Sequence, residues 1–251
     1  MFKKLDKSVP QRLTISLVGA PGSGKTFIAT RFPKPIVLSC DVGPIGGLSS
    51  APPNITYTQV TKWEEAQLAL SEAQRLVKKE GYETVVVDGF ANLSRLCIQD
   101  VTSRAGKEAP ELKEWSLIVE RLRGFILTAC LNTPPPCRFV IFTTADTLVI
   151  DNVTGQFRIE PNLPGTKISR EIVENFDQVW YLESSFSVLG KQYVRKLHVG
   201  GYPAWTKDRQ GIFAEDPTLE SPSLWRILKS LATRLGFEPP AEDVKEPKIK
   251  V

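Results

Sequence analysis

The residues best suited to chemistry form one short run, GAPGSGKT, at positions 19–26. It fits the pattern G-x-x-x-x-G-K-[ST], with Gly19, Gly24, Lys25 and Thr26 at the fixed places and Ala20, Pro21, Gly22 and Ser23 between them. Glycines permit a turn in which the backbone N–H groups of Gly22 to Lys25 converge on phosphate oxygens, and a helix starting there adds the favourable end of its dipole. A lysine at this place holds β- and γ-phosphates, and the Thr26 hydroxyl suits Mg²⁺. The run therefore predicts ATP and Mg²⁺ as ligands. Asp88 closes the apolar run TVVVD, where a carboxylate reaches the same metal through water or, in the plainer reading, caps the next helix. Asp41 follows PIVLSC and is the candidate to orient an attacking water. Thr143 and Thr144 close RFVIFTT, where either hydroxyl can sense a γ-phosphate or simply follow strand propensity; Thr144 is the catalytic candidate. Lys207 and Arg209 flank Asp208 in AWTKDRQGIF, far along the chain from the phosphate motif. They are either further phosphate contacts or a solvated charged turn.

Composition narrows the remaining chemistry. The sole histidine, His198, lies in the alternating run YVRKLHV and reads as a strand residue, which argues against a His-centred triad or a multi-His metal site. Cys40, Cys97, Cys130 and Cys137 stand far apart with no C-x-x-C pair, as expected of reduced core thiols. With 32 basic against 28 acidic residues, the net charge of +4 identifies no polyanionic partner. No stretch offers the ~18 uninterrupted apolar residues of a membrane span. A cytoplasmic protein is expected, within the host cell if the chain is viral.

These residues need a scaffold, and the apolar pattern supplies one. LTISLV, PIVLSC, NITYTQV, TVVVD and RFVIFTT read as five strands, the third at an edge. Helices are predicted from Lys25 to Pro33, from a Thr61–Glu64 capping box to Gly81, from about Ala91, and from about Trp115 to Leu131. TSRAGKEAPELKE reads as a charged loop. From Ala145 the chain turns strand-rich, with a hairpin about Thr154–Gly155 and strands in QVWYLE and QYVRKLHV. SLWRILKSLATRL forms a last helix, and 237–251 has the composition of a disordered tail, leaving 1–236 as the folded domain.

The ordered set VGAPGSGKTF, VLSCDVG, VVVDGF, FTTAD and TKDRQG resembles the RecA-like ATPases, and within them the phage-encoded ATPases of single-strand annealing and recombination. The resemblance covers roughly residues 11 to 213. It implies an α/β fold with a mainly parallel central sheet, followed by β-hairpins and a terminal helix. It also implies a strand between the phosphate-binding strand and the Asp88 strand, ending in a water-activating acid, which by similarity is Asp41; most RecA-like proteins carry glutamate there. TKDRQG is similar to the Lys-Asn-Arg element of the RadA and DnaB families, whose cations reach the ATP of a neighbouring subunit, so Lys207 and Arg209 inherit that role and self-association into a ring or filament is implied. Single-stranded DNA is the implied partner, contacted by Arg104, Lys107 and Lys113 in one loop and Arg158, Lys167 and Arg170 in another, although Glu108, Glu111 and Glu114 make a solvated first loop equally consistent. The implied function is ATP-driven recombination. A P-loop kinase of a small acceptor, or an ATP-dependent protein switch without nucleic acid, are the other readings the residues allow.

Overall fold

Leu13–Gly19 (β1) is buried along its whole length because the chain covers both faces of the strand. It pairs in parallel with Phe139–Ile150 (β5) on one side and Gln178–Ser187 (β7) on the other. Beyond β5 follow Thr84–Asp88 (β4), Pro35–Ser39 (β2) and Thr56–Gln59 (β3), all parallel, with β3 at the expected edge. Beyond β7 the sheet turns antiparallel through Gln192–His198 (β8) and Thr218–Glu220 (β10). Phe157–Pro161 (β6) folds back on the far half of β5, and Lys207–Asp208 (β9) pairs with the start of β7. The computed structural model describes residues 12–41, 46–150, 155, 157–165, 169, 174–187, 192–200, 204, 206–214, 217–220 and 224–235. The expected disordered tail lies outside them.

Alternate residues of the central strands feed two apolar layers. On one face Val18, Val85, Val87, Val140 and Phe142 pack under Trp63–Glu80 (α2), Phe90–Ala105 (α3) and Leu112–Asn132 (α4). On the other, Leu13, Ile15, Leu17, Val86, Phe139 and Ile141 meet Lys25–Ala29 (α1) and Leu224–Leu235 (α5). The implied fold is present: an α/β core on a mainly parallel sheet, then antiparallel strands and a last helix. All four cysteines are buried and free, as expected.

Local departures have local causes. α1 stops at Ala29 rather than running to Pro33, because Thr30 Oγ1 and the Arg31 guanidinium donate to the carbonyls of Thr26 and Phe27. The helix-start carboxylate of α2 is Glu65, not Glu64: it accepts from the Thr61 and Lys62 amides and the Thr61 hydroxyl at 2.8–3.0 Å. The expected charged loop is mostly helix. α3 runs through Arg104, and α4 begins at Leu112, three residues before Trp115. The strand between β1 and β4 exists, but it is β5, which carries Thr143; Asp41 follows β2 on the far side of β4, so the expectation that the separating strand ends in Asp41 is wrong. Nor does β5 end at Thr144. It runs six residues further to form a two-stranded arm with β6.

Candidate active site

The parallel strands β1, β5, β4 and β2 all point their carboxyl ends at one side of the sheet, where ligand crevices of open α/β sheets form. There a cleft of about 620 Å³ is lined by Gly22, Gly24, Lys25, Thr26, Asp41, Asn92, Thr143 and Arg195 among others. Gly24 starts α1 with φ of 103°, a conformation that favours glycine. Lys25 Nζ donates to the carbonyls of Gly19 and Ala20 at 2.7 and 2.9 Å, and burial pushes its pKa below the ordinary lysine value although Asp146, Asp88 and Asp41 oppose the shift.

Thr26 Oγ1 donates to Asp88, lying 2.9 and 3.1 Å from its two carboxylate oxygens. Thr143 Oγ1 donates to Asp88 Oδ1 at 2.6 Å and accepts from the Gly89 amide at 2.9 Å. Asp88 is fully buried, and burial raises its pKa despite these hydrogen bonds; nearby Asp41 adds to the rise. The sequence thus brings its two metal candidates, Thr26 and Asp88, into direct contact. Their oxygen-only donor set fits a hard cation such as Mg²⁺. So does the space beside them: a Cβ on Gly47 would sit 2.7 Å from Thr26 Oγ1 and 3.3 Å from Asp88 Oδ2.

Asp41 reaches the same place over Gly89. A side chain there would bring its Cβ within 2.3 Å of Asp41 Oδ1, and Gly89 also has φ of 85°, so glycine is needed twice over. Asn92 Nδ2 donates to Asp41 Oδ1 at 2.9 Å, and Arg95 donates to Asn92 Oδ1 at 2.8 Å. Both line the cleft from the first turns of α3. Their sequence signal was an offset of three and six residues from Gly89, one helical face.

Thr144 is not in the site. It is buried, its hydroxyl without a partner among the described residues, on the strand face opposite Thr143 and Ala145, which line the cleft. Arg195 is there instead, from β8, and no local motif announces it: long-range strand pairing delivers it. Lys207 and Arg209 are elsewhere. β9 pairs Asp208 with Gln178 and Lys207 with Val179, and Gln178 in turn lies opposite Ile15, so Asp208, between the two cations, sits about 13 Å along the strand direction from the phosphate-motif end of β1. Lys207 Nζ and Arg209 both donate to the Glu174 carbonyl, and Arg209 pairs with Asp177 at 3.3 Å. Asp208 fastens the turn, accepting from Gln178 and from the Phe213 amide at 2.7 Å each.

The first set of expected DNA cations is internally engaged. Arg104 pairs with Asp100 and Glu64, and Lys107 pairs with Glu111 and Glu114. Lys113 is exposed in the first turn of α4. Arg158 pairs with Glu160, while Lys167 and Arg170 lie outside the described residues.

A phosphate-type loop closing β1, with a hydroxyl and a carboxylate beneath it on a mainly parallel sheet, defines a P-loop nucleotide-binding protein. The AAA domain family matches residues 11–218, and the chain belongs to it, a family of nucleotide-binding ATPases. No curated protein matches the chain. Among solved structures, a KaiC-like protein from the hyperthermophilic archaeon Pyrococcus horikoshii OT3 is similar at 15% identity and a TM-score of 0.44, over 74% of this chain and 77% of that one. Among the described residues no helix is long and apolar enough to cross a membrane.

Proposed function

We propose that the chain is a Mg²⁺-dependent ATPase in which the loop 19–26 holds ATP, Thr26 and Asp88 hold the metal, and Asp41 orients the attacking water. The observation that carries this reading is the Thr26–Asp88 contact at the foot of the loop. Lys25 exchanges its two carbonyl partners for the β- and γ-phosphates. Mg²⁺, when bound, neutralises charge on those phosphate oxygens. Asp41, fixed by Asn92, accepts a proton from water as the water oxygen bonds to the γ-phosphorus. The bond from that phosphorus to the bridging oxygen breaks, leaving ADP and phosphate. Lys207 and Arg209 lie too far from their own loop and serve the ATP of a neighbouring copy. Release of inorganic phosphate from ATP, dependent on Mg²⁺ and lost in Lys25→Ala, tests the reading; transfer to an added small acceptor without phosphate release would favour a kinase.

Recombination on single-stranded DNA is the finer reading. It is supported by the β5–β6 arm, where Phe157, 51% exposed beside the exposed Leu148 and Ile150 on the same face, offers one aromatic ring on which a base can stack. The ion-paired Arg104, Lys107 and Arg158 weigh against it. Stimulation of ATP hydrolysis by poly(dT) separates it from a protein switch, which would ignore the polymer.

A further inference from the structure

The cleft has two flanks, and only one of them holds the metal candidates. Thr26, Asp88 and Asp41 occupy the β4 side of β1, while β7 and β8 form the other side. β7 pairs Leu182 with Gly19, and β8 places Arg195 against Ser184, two residues further on. β8 therefore overshoots the end of β1 and brings Arg195 level with the phosphate loop. Its Nε donates to the Ser23 carbonyl at 3.0 Å, the one hydrogen bond it makes among the described residues. The guanidinium lies across Gly24, where an added Cβ would meet Nε at 3.2 Å and Cζ at 3.5 Å. It is part-buried and lines the cleft beside Pro21, Gly22 and Phe27.

We propose that Arg195 binds the nucleotide of its own chain, gripping the phosphate chain at its nucleoside end. This inference rests on the ATPase reading above. Thr26 and Asp88 would hold the metal, whose charge would offset that of the terminal phosphates, so those phosphates belong on that flank. The α-phosphate and nucleoside then leave toward the opposite flank, where Arg195 stands. A guanidinium carries five N–H donors in a planar fork that matches phosphate, and the Ser23 carbonyl engages one of them. That bond orients the fork over the loop before any ligand arrives.

Calorimetric titration with ADP, ATP and inorganic pyrophosphate, each with Mg²⁺, tests the assignment on the wild-type chain, Arg195→Ala, Arg195→Lys and Lys25→Ala. In Arg195→Ala, ADP and ATP should weaken together by about ten- to a hundredfold, the usual weight of a hydrogen-bonded charge, while pyrophosphate, which fills only the metal side, keeps its affinity. Arg195→Lys should recover part of the loss. Equal weakening of pyrophosphate would make Arg195 a brace for the loop, and weakening of ATP with ADP intact would move it to the terminal phosphate; either outcome overturns the proposal, as does no change at all. If the wild-type chain binds none of the three and Lys25→Ala alters nothing, the ATPase reading itself fails, a result distinct from the others.

Discussion

Asp88 is a carboxylate kept where a carboxylate is unfavourable. Its pKa is raised above 3.8 by burial, so its contribution to stability is complete below that value and is lost as pH rises through the raised one. As pH rises through that raised value the ligand-free fold comes to carry a buried ionised group. Where the carboxyl is ionised, Asp88→Asn should raise the thermal midpoint by a few degrees, about 1 kcal/mol, and at any pH it should abolish Mg²⁺-dependent hydrolysis. Thermal melts at pH 5 and pH 8 should show the difference between wild type and variant growing with pH; a variant less stable than wild type at pH 8 would refute this account. Asp41 gives a different signature. Asp41→Asn should slow hydrolysis with ATP affinity nearly unchanged, and Gly89→Ala, which drives a methyl into the Asp41 carboxylate, should do the same with added loss of stability. Collapse of ATP binding in Asp41→Asn would make it a ligand-holding or structural residue instead.

Individual elements show what the sequence could say about itself. Strands β1, β2, β4 and the first half of β5 were legible because a sheet buried on both faces needs unbroken apolar runs. The loop 19–26 was legible because its turn requires glycines at fixed places. The strand order is not: nothing local tells β5 to insert between β1 and β4, so the strand before Asp41, itself legible as PIVLSC, is expected between them when it lies on the far side of β4. Arg195 was invisible for the same reason, since its place depends on the register of β7 against β8. The loop 102–114 misled because its charges looked solvated. They are in fact used to tie helices: Asp100 accepts from Arg104 on α3 and Arg121 on α4, and Arg104 also reaches Glu64 on α2. Burial pushes the Asp100 pKa up, but the hydrogen bonds from Arg104 and Arg121 outweigh it and hold the carboxyl below 3.8. This stability is present above 3.8 and lost as pH falls through the lowered value. Asp100→Ala should cost about 1–3 kcal/mol in urea denaturation by leaving Arg121 without its partner, with hydrolysis per folded molecule unchanged.

For the whole molecule the question is whether one copy suffices. Lys207 and Arg209 flank Asp208, which lies about 13 Å from their own phosphate loop along the sheet, and Arg209 is exposed. If they complete a neighbour's site, Arg209→Ala should be nearly as inactive as Lys25→Ala, since such cations are worth about 10³–10⁵ in rate. Mixing the two variants should restore part of the activity, because some junctions then pair an intact loop with an intact arginine. Full-rate hydrolysis by dilute monomer, or a mixed oligomer that stays inactive, would rule out the trans role. On single strands, affinity should fall with salt at a slope of about −0.7 per phosphate contact, and removing charge at Lys167 and Arg170 should flatten it.

The four buried thiols give the molecule a clock of its own. Burial pushes Cys97 and Cys130 up to about 12 and Cys137 to about 11, and moves Cys40 in the same direction. A thiol held protonated and out of solvent does not react, so alkylation of the native chain can proceed only at the pace at which each region opens. Cys40 immediately precedes Asp41 at the cleft, Cys97 and Cys130 lie on α3 and α4, and Cys137 stands before β5. Four positions thus record, in one mass spectrum taken over time, which part of the sheet yields first and whether ADP slows the ticking at Cys40 alone.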